Sequence, residues 1–220
     1  MHPTRAAREG RGSHRKRQPI TALGQARDDG QAGLTLEIYL ARHGETEWTL
    51  NGRHTGRTDL PLTAHGEEEA ATLRPRLAGL QFDDVYSSPL QRASHTAEIA
   101  GFPNAQLTPL LREVDYGDYE GVTTKVIHES NPGWELYKDG CPGGETPAQV
   151  YARAMGFIAL ADTGTRRVLA FAHGHILRAV AVAWMSLDIT AAARLELDVA
   201  TLSVLRHDEH GRVLAVWNAP

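Results

Sequence analysis

An α/β domain built on a mostly parallel sheet is what three stretches of this sequence predict. Leu36, Ile38 and Leu40 alternate with Glu37, Tyr39 and Ala41, the two-residue period of a strand with one strongly apolar face. Arg167-Val168-Leu169-Ala170-Phe171-Ala172 contains a continuous apolar run, as expected of a strand buried on both faces. Asp84-Val85-Tyr86-Ser87 reads as a shorter strand that leads into a helix. Both long strands end in histidine and glycine, at His43-Gly44 and His173-Gly174. The carboxyl ends of strands are where open α/β sheets bind ligands. At 220 residues the chain is long enough for one such domain and short for two.

Composition narrows the class further. No apolar run approaches the length of a membrane span, so no membrane partner is expected. Cys141 is the single cysteine; it has no disulfide partner within the chain, and a cytoplasmic location is expected. No clustered Cys/His spacing suggests a metal. Residues 1–33 carry seven Lys/Arg against Glu9, Asp28 and Asp29. With no aromatics, no apolar h-region and no helical period, they read as a disordered basic extension preceding a domain at 34–220. That leaves 16 basic and 24 acidic residues in the body, which argues against nucleic acid as the partner. A homodimer is compatible with the sequence.

The first strand stops in Arg42-His43-Gly44-Glu45-Thr46. Arg42 offers a fork of donors that fits phosphate or carboxylate oxygens. A glycine-punctuated loop follows, from Trp48 to Asp59. Thr63 then caps a helix expected to run to about Leu80, with Glu67, Glu68 and Glu69 in its first turns. After the strand at 84–87, Ser88 as N-cap, Pro89 at N1 and Gln91 at N3 spell a capping box. This puts Arg92 in a first helical turn, where a cation opposes the helix dipole unless an anion binds there.

Leu110 to Gly121 brings several carboxylates between apolar residues, and one of them can serve as a general acid. Residues 122–145 are irregular, a composition that suits a flap over a pocket, with Cys141 a packed thiol. Thr146-Pro147-Ala148-Gln149 is a second capping box, opening a helix to about Asp162. The apolar helical pattern after His173-Gly174-His175 runs from Ile176 to about Met185. Two closing strands, Thr201–Leu205 and Arg212–Trp217, are joined by a polar turn.

RHGETEW, RHTGRTDLPLT, SSPLQRASHTAEI, LREVDYGDYEG, GCPGGETPAQV and FAHGHILRAV follow one another in that order. In these motifs the sequence resembles the histidine phosphatase superfamily, which includes the cofactor-dependent phosphoglycerate mutases. The resemblance implies a three-layer sandwich, a mostly parallel sheet flanked by helices. It implies that His43 is a nucleophile taking a phosphoryl group, that Glu113 is the proton donor, and that His173 completes the catalytic set. Arg42, Arg92, Thr55, Gly56, Thr49 and Gly174 fall at phosphate-binding positions, and neither a cofactor nor a metal is needed. A small phosphorylated molecule would be the substrate.

Departures from the mutase pattern favour a phosphatase. Thr49 replaces an asparagine, Val114 and Asp115 replace an Arg-His pair, and no paired arginines match those that grip phosphoglycerate. The stretch through GDYEG, DGCPGGE and AHGHILR looks closest to bacterial acid phosphatases and sedoheptulose-bisphosphatase-like enzymes. Mutase-type transfer and a non-catalytic phospholigand-binding module are the alternatives. Chemically, Arg42 and Arg92 should lower the His43 pKa, and bound phosphate should raise that of Glu113.

Overall fold

Strand β1 (Leu36–Arg42) is the middle of the molecule. The computed structural model describes residues 36–164, 166–209 and 211–220; the basic extension expected at 1–33 lies outside them. β1 is followed by α1 (Glu47–Asn51), α2 (Ala64–Ala71), α3 (Leu73–Leu77), β2 (Asp84–Ser87), α4 (Gln91–Ile99) and β3 (Gln106–Leu107). The chain continues through α5 (Thr124–Ser130), α6 (Leu136–Asp139), α7 (Pro147–Ala161), β4 (Arg166–Ala172) and α8 (Gly174–Trp184) to β5 (Leu202–Asp208) and β6 (Gly211–Ala219). The strands form one sheet in the order β3-β2-β4-β1-β5-β6. β3, β2, β4 and β1 are parallel; β5 and β6 close the sheet antiparallel.

Each face of the sheet carries its own apolar cluster, giving three layers. Leu36, Ile38, Leu40, Val168 and Ala170 pack with residues of α7 and α8. Tyr39, Ala41, Leu169 and Phe171 pack with Leu73, Leu77 and Ala97 on the other side. β1 is thus covered on both faces, where its alternation suggested one apolar face. Tyr39 stacks edge-on against Phe82, and Glu37 is buried because Arg167 Nε donates to its carboxylate at 3.0 Å.

Three local expectations are corrected. The helix expected from Thr63 to Leu80 breaks at Thr72. Pro75 has no N–H for the Ala71 carbonyl, and its ring crowds that oxygen. Ser88 does not cap α4: the N-cap is Leu90, with no side-chain cap bond. Asp59 serves instead, its Oδ1 accepting from the Gln91 amide at 2.8 Å, while its carbonyl accepts from Gln91 Nε2 at 2.6 Å. Finally, residues 122–145 are not all irregular. They hold α5, capped by Thr123, and α6, and they bury Ile127, Trp134, Leu136 and Tyr137. The second capping box forms as read, with Thr146 and Gln149 bonded to each other's backbone.

The turn after β1 packs backbone against backbone. A Cβ on Gly44 would lie 2.1 Å from the Gly66 carbonyl oxygen, and one on Gly66 would lie 2.1 Å from that of Glu45. Only glycine at both positions lets α2 approach the turn this closely.

Candidate active site

Pairing between β1 and β4 continues past the strand ends, where the His43 amide donates to the Ala172 carbonyl at 3.0 Å. His43 and His173 therefore emerge together, both buried, with ring centroids 5.0 Å apart. His43 Nδ1 lies 2.7 Å from the Gly44 carbonyl oxygen. A carbonyl can only accept, so Nδ1 carries the proton and Nε2 keeps its lone pair. Burial, then the charges of Arg92 and Arg42, hold this imidazole well below its ordinary pKa, as the sequence led us to expect.

Arg92 is fully buried. Its Nε donates to His173 Nδ1 at 3.1 Å. A guanidinium cannot accept, so His173 is protonated on Nε2, which donates to Ser88 Oγ at 2.8 Å. The rest of the fork grips the loop after α1. Nη1 donates to the Thr58 carbonyl, and Nη2 to those of Thr55 and Gly56, at 2.9–3.2 Å. A side chain on Gly56 would strike the Val114 carbonyl, 2.5 Å from its Cβ. The amides of Gly56 and Thr58 donate to the Glu120 carboxylate. Thr55 and Gly56 thus orient Arg92 through their carbonyls.

Arg42 Nη1 donates to the Leu197 carbonyl, whereas its Nε is buried with no hydrogen-bond partner among the described residues. An orphaned guanidinium N–H is costly, and an anion satisfies it. Gly174, first residue of α8, lies against this group: a Cβ there would be 3.4 Å from Arg42 Cζ and Nε.

Glu113 is buried at the N-terminus of α8. Its Oε1 accepts from the amides of Val114 (3.0 Å) and Ile176 (2.9 Å), and its Oε2 from the amide of His175 (3.0 Å). Burial pushes this carboxyl up, but the side chain and amide of His175 outweigh it. The pKa is held well below the usual carboxylate range. The acid is thus held as a carboxylate, and the upward shift expected of bound phosphate would act against that hold. Of the other carboxylates near this stretch, Glu145 and Asp115 are engaged elsewhere, with Arg153 and Arg57 respectively.

Thr49 is held within α1. Its Oγ1 donates to the Thr46 carbonyl and accepts from the Thr46 amide, both at 2.8 Å, in the capping box of α1. From the sequence Ser88 received only a capping role and His175 none, yet Ser88 bonds His173 and the His175 amide bonds Glu113. An open cavity of about 500 Å³ between α2, α4 and β3 contains none of these side chains. Among the described residues no three His, Cys, Asp or Glu side chains gather to hold a metal.

The sequence matches the family described as "Histidine phosphatase superfamily (branch 1)" over residues 38–220. The chain belongs to that superfamily. Within it, the chain is 42% identical over 183 residues to an acid phosphatase of Mycobacterium tuberculosis, covering 81% of this chain and 90% of that protein. It is 33% identical to the sedoheptulose 1,7-bisphosphatase of Saccharomyces cerevisiae, over 71% of this chain and 70% of the other. The solved structure of the Mycobacterium tuberculosis open reading frame Rv3214 superposes with a TM-score of 0.79 at 39% identity. That superposition covers 84% of this chain and 97% of the other. This histidine phosphatase is an enzyme that hydrolyses phosphomonoesters.

Proposed function

We propose that this phosphatase works through a phosphohistidine on His43, with Glu113 serving the leaving group. Arg42 and Arg92 meet the charge of the phosphoryl oxygens, and His173 turns its Nε2–H from Ser88 Oγ to one of them. The observation that carries the reading is the pair of adjacent strand ends. They put a neutral imidazole with a free Nε2 beside two arginines and a second imidazole. In the first half-reaction the Nε2 lone pair attacks phosphorus, the ester P–O bond breaks, and the departing alkoxide takes a proton from Glu113. Charge on the transferring group is met by Arg42, Arg92 and the α8 N-terminus, near Gly174. In the second half-reaction water attacks phosphorus, the P–N bond breaks, and Glu113 takes the water's proton.

The substrate is proposed to be a small phosphorylated metabolite rather than a phosphoglycerate undergoing isomerisation. Val114 is buried in the core, and Asp115 is ion-paired with Arg57. Neither supplies the cation that a mutase uses at these positions. We also propose that residues 1–33 lie outside the catalytic domain, because the family match starts at 38. A chain starting at residue 34 should keep kcat and Tm; a large loss of either refutes the boundary. We infer a cytoplasmic location from the single thiol, the buried Cys141.

Rapid quench with labelled substrate tests the mechanism. Wild type should accumulate acid-labile, base-stable protein phosphate, and His43→Ala should lose activity by about 10³-fold or more. Full activity in His43→Ala refutes the assignment.

A further inference from the structure

Glu113 has a supply problem. Each of the amides that hold it, from Val114, His175 and Ile176, stabilises the carboxylate, yet the leaving alkoxide needs a proton. His175 stands beside it, with Nδ1 3.6 Å from Glu113 Oε2. The same Nδ1 lies 2.6 Å from the Tyr116 hydroxyl oxygen. That hydroxyl suits either state of the ring: it donates to a bare Nδ1 and accepts from a protonated one.

We propose that His175 stores the proton that Glu113 delivers, a single proton passing between Glu113 Oε2 and His175 Nδ1 when the two close the 3.6 Å between them. His175 thus acts on the reaction through Glu113, and the proposal rests on the phosphatase reading above. Once the phosphate dianion has loaded the pair with a proton, the imidazole is protonated and the carboxylate is ionised. As the ester P–O bond breaks, Nδ1 gives its proton to Glu113, which gives one to the alkoxide; an alcohol leaves and His175 is neutral. When water attacks the phosphohistidine, its proton goes to Glu113 and on to His175 Nδ1, and the starting state returns.

The surroundings set the pH at which the pair is loaded. His175 faces Glu113 and Tyr116 from the segment after β3 and His54 from the loop after α1. Tyr137 reaches it from α6, and Arg178 acts on it from one turn further along α8. Burial and Arg178 favour the neutral ring, Glu113 the charged one, and together they bring its pKa down to about 4. A phosphate dianion in the site adds negative field and raises the pair's affinity for the proton. Loading therefore increases as the medium becomes acidic.

The test compares kcat pH profiles on p-nitrophenyl phosphate and on 2-glycerophosphate, for wild type, His175→Asn and Tyr116→Phe. An aryl oxide leaves without a proton; an alkoxide does not. Asparagine keeps a polar contact to Glu113 but cannot store a proton. His175→Asn should lose about tenfold or more on the alkyl ester and several-fold less on the aryl ester. It should also flatten the alkyl profile on its acidic side. Tyr116→Phe should displace the alkyl profile along the pH axis, and it carries the test if His175→Asn does not fold. Equal losses on both esters, or an alkyl profile unmoved in both variants, overturn the role of His175 alone. A wild type that releases phosphate from neither ester overturns it together with the phosphatase reading.

Discussion

Thr96 accepts the Gly44 amide on its Oγ1 at 3.2 Å and donates the same hydroxyl to the Arg92 carbonyl at 2.7 Å. One fully buried side chain on α4 thus ties the turn that carries the nucleophile to the residue that orients His173. The geometry of the two imidazoles depends on this link as much as on the sheet.

Thr96→Val keeps the shape and removes both hydrogen bonds. It leaves the Gly44 amide without that partner, so stability should fall by about 1–3 kcal/mol. Activity should fall on aryl and alkyl esters alike, because the fault lies at His43 and not at the acid. Urea denaturation and steady-state rates check both; an unchanged midpoint refutes the prediction.

Glu113→Gln should lose about 10²–10⁴-fold on an alkyl phosphate and much less on an aryl phosphate. The glutamine NH₂ would also meet amides that now point at a carboxylate oxygen, so some loss of Tm is expected with it. Equal kinetic losses on both esters would mean that Glu113 is not the acid.

Acid should destabilise the protein before its activity peaks. His43, His173 and His175 all have pKa values depressed by burial, His175 to about 4. In the unfolded chain each binds a proton below about pH 6.5. Between that value and the folded pKa the unfolded state holds more protons, so stability rises with pH and falls on acidification. Glu113, held well below its usual range, contributes stability that is fully present above the unfolded carboxyl pKa and lost as pH falls toward its folded one. The Tm should therefore drop from pH 7 to pH 5. In His175→Asn the drop should be smaller, by the equivalent of about 2 kcal/mol at pH 5. An identical drop in both proteins contradicts the depressed imidazole.

The strands carrying the two histidines were legible because buried parallel strands are written as apolar runs, and each ends where its chemistry begins. Arg92 was legible for a different reason: a cation in a first helical turn had no capping explanation. The cap itself was misread because Ser88 is claimed by His173 and replaced by Asp59, and neither partner is near it in sequence. β3 was invisible, being two exposed residues without a pattern. Helix α5 was missed for a similar reason, since Ile127 is its one buried residue. The hold on Glu113 could not be read at all. Its main partners come from the start of α8, far along the chain, and backbone amides leave no signature in a sequence.

The reciprocal contact of Gly44 and Gly66 restricts how this site can diverge. A side chain at either position meets main chain and not a movable neighbour, so a change at one glycine gives no room for a change at the other. Routes that enlarge residues step by step are closed in both orders. Lineages that alter the turn behind the nucleophile must shift a whole helix in one event, whereas an exposed position such as Arg57 can be rewritten by itself. New substrates are accessible to drift; a new nucleophile cradle is not.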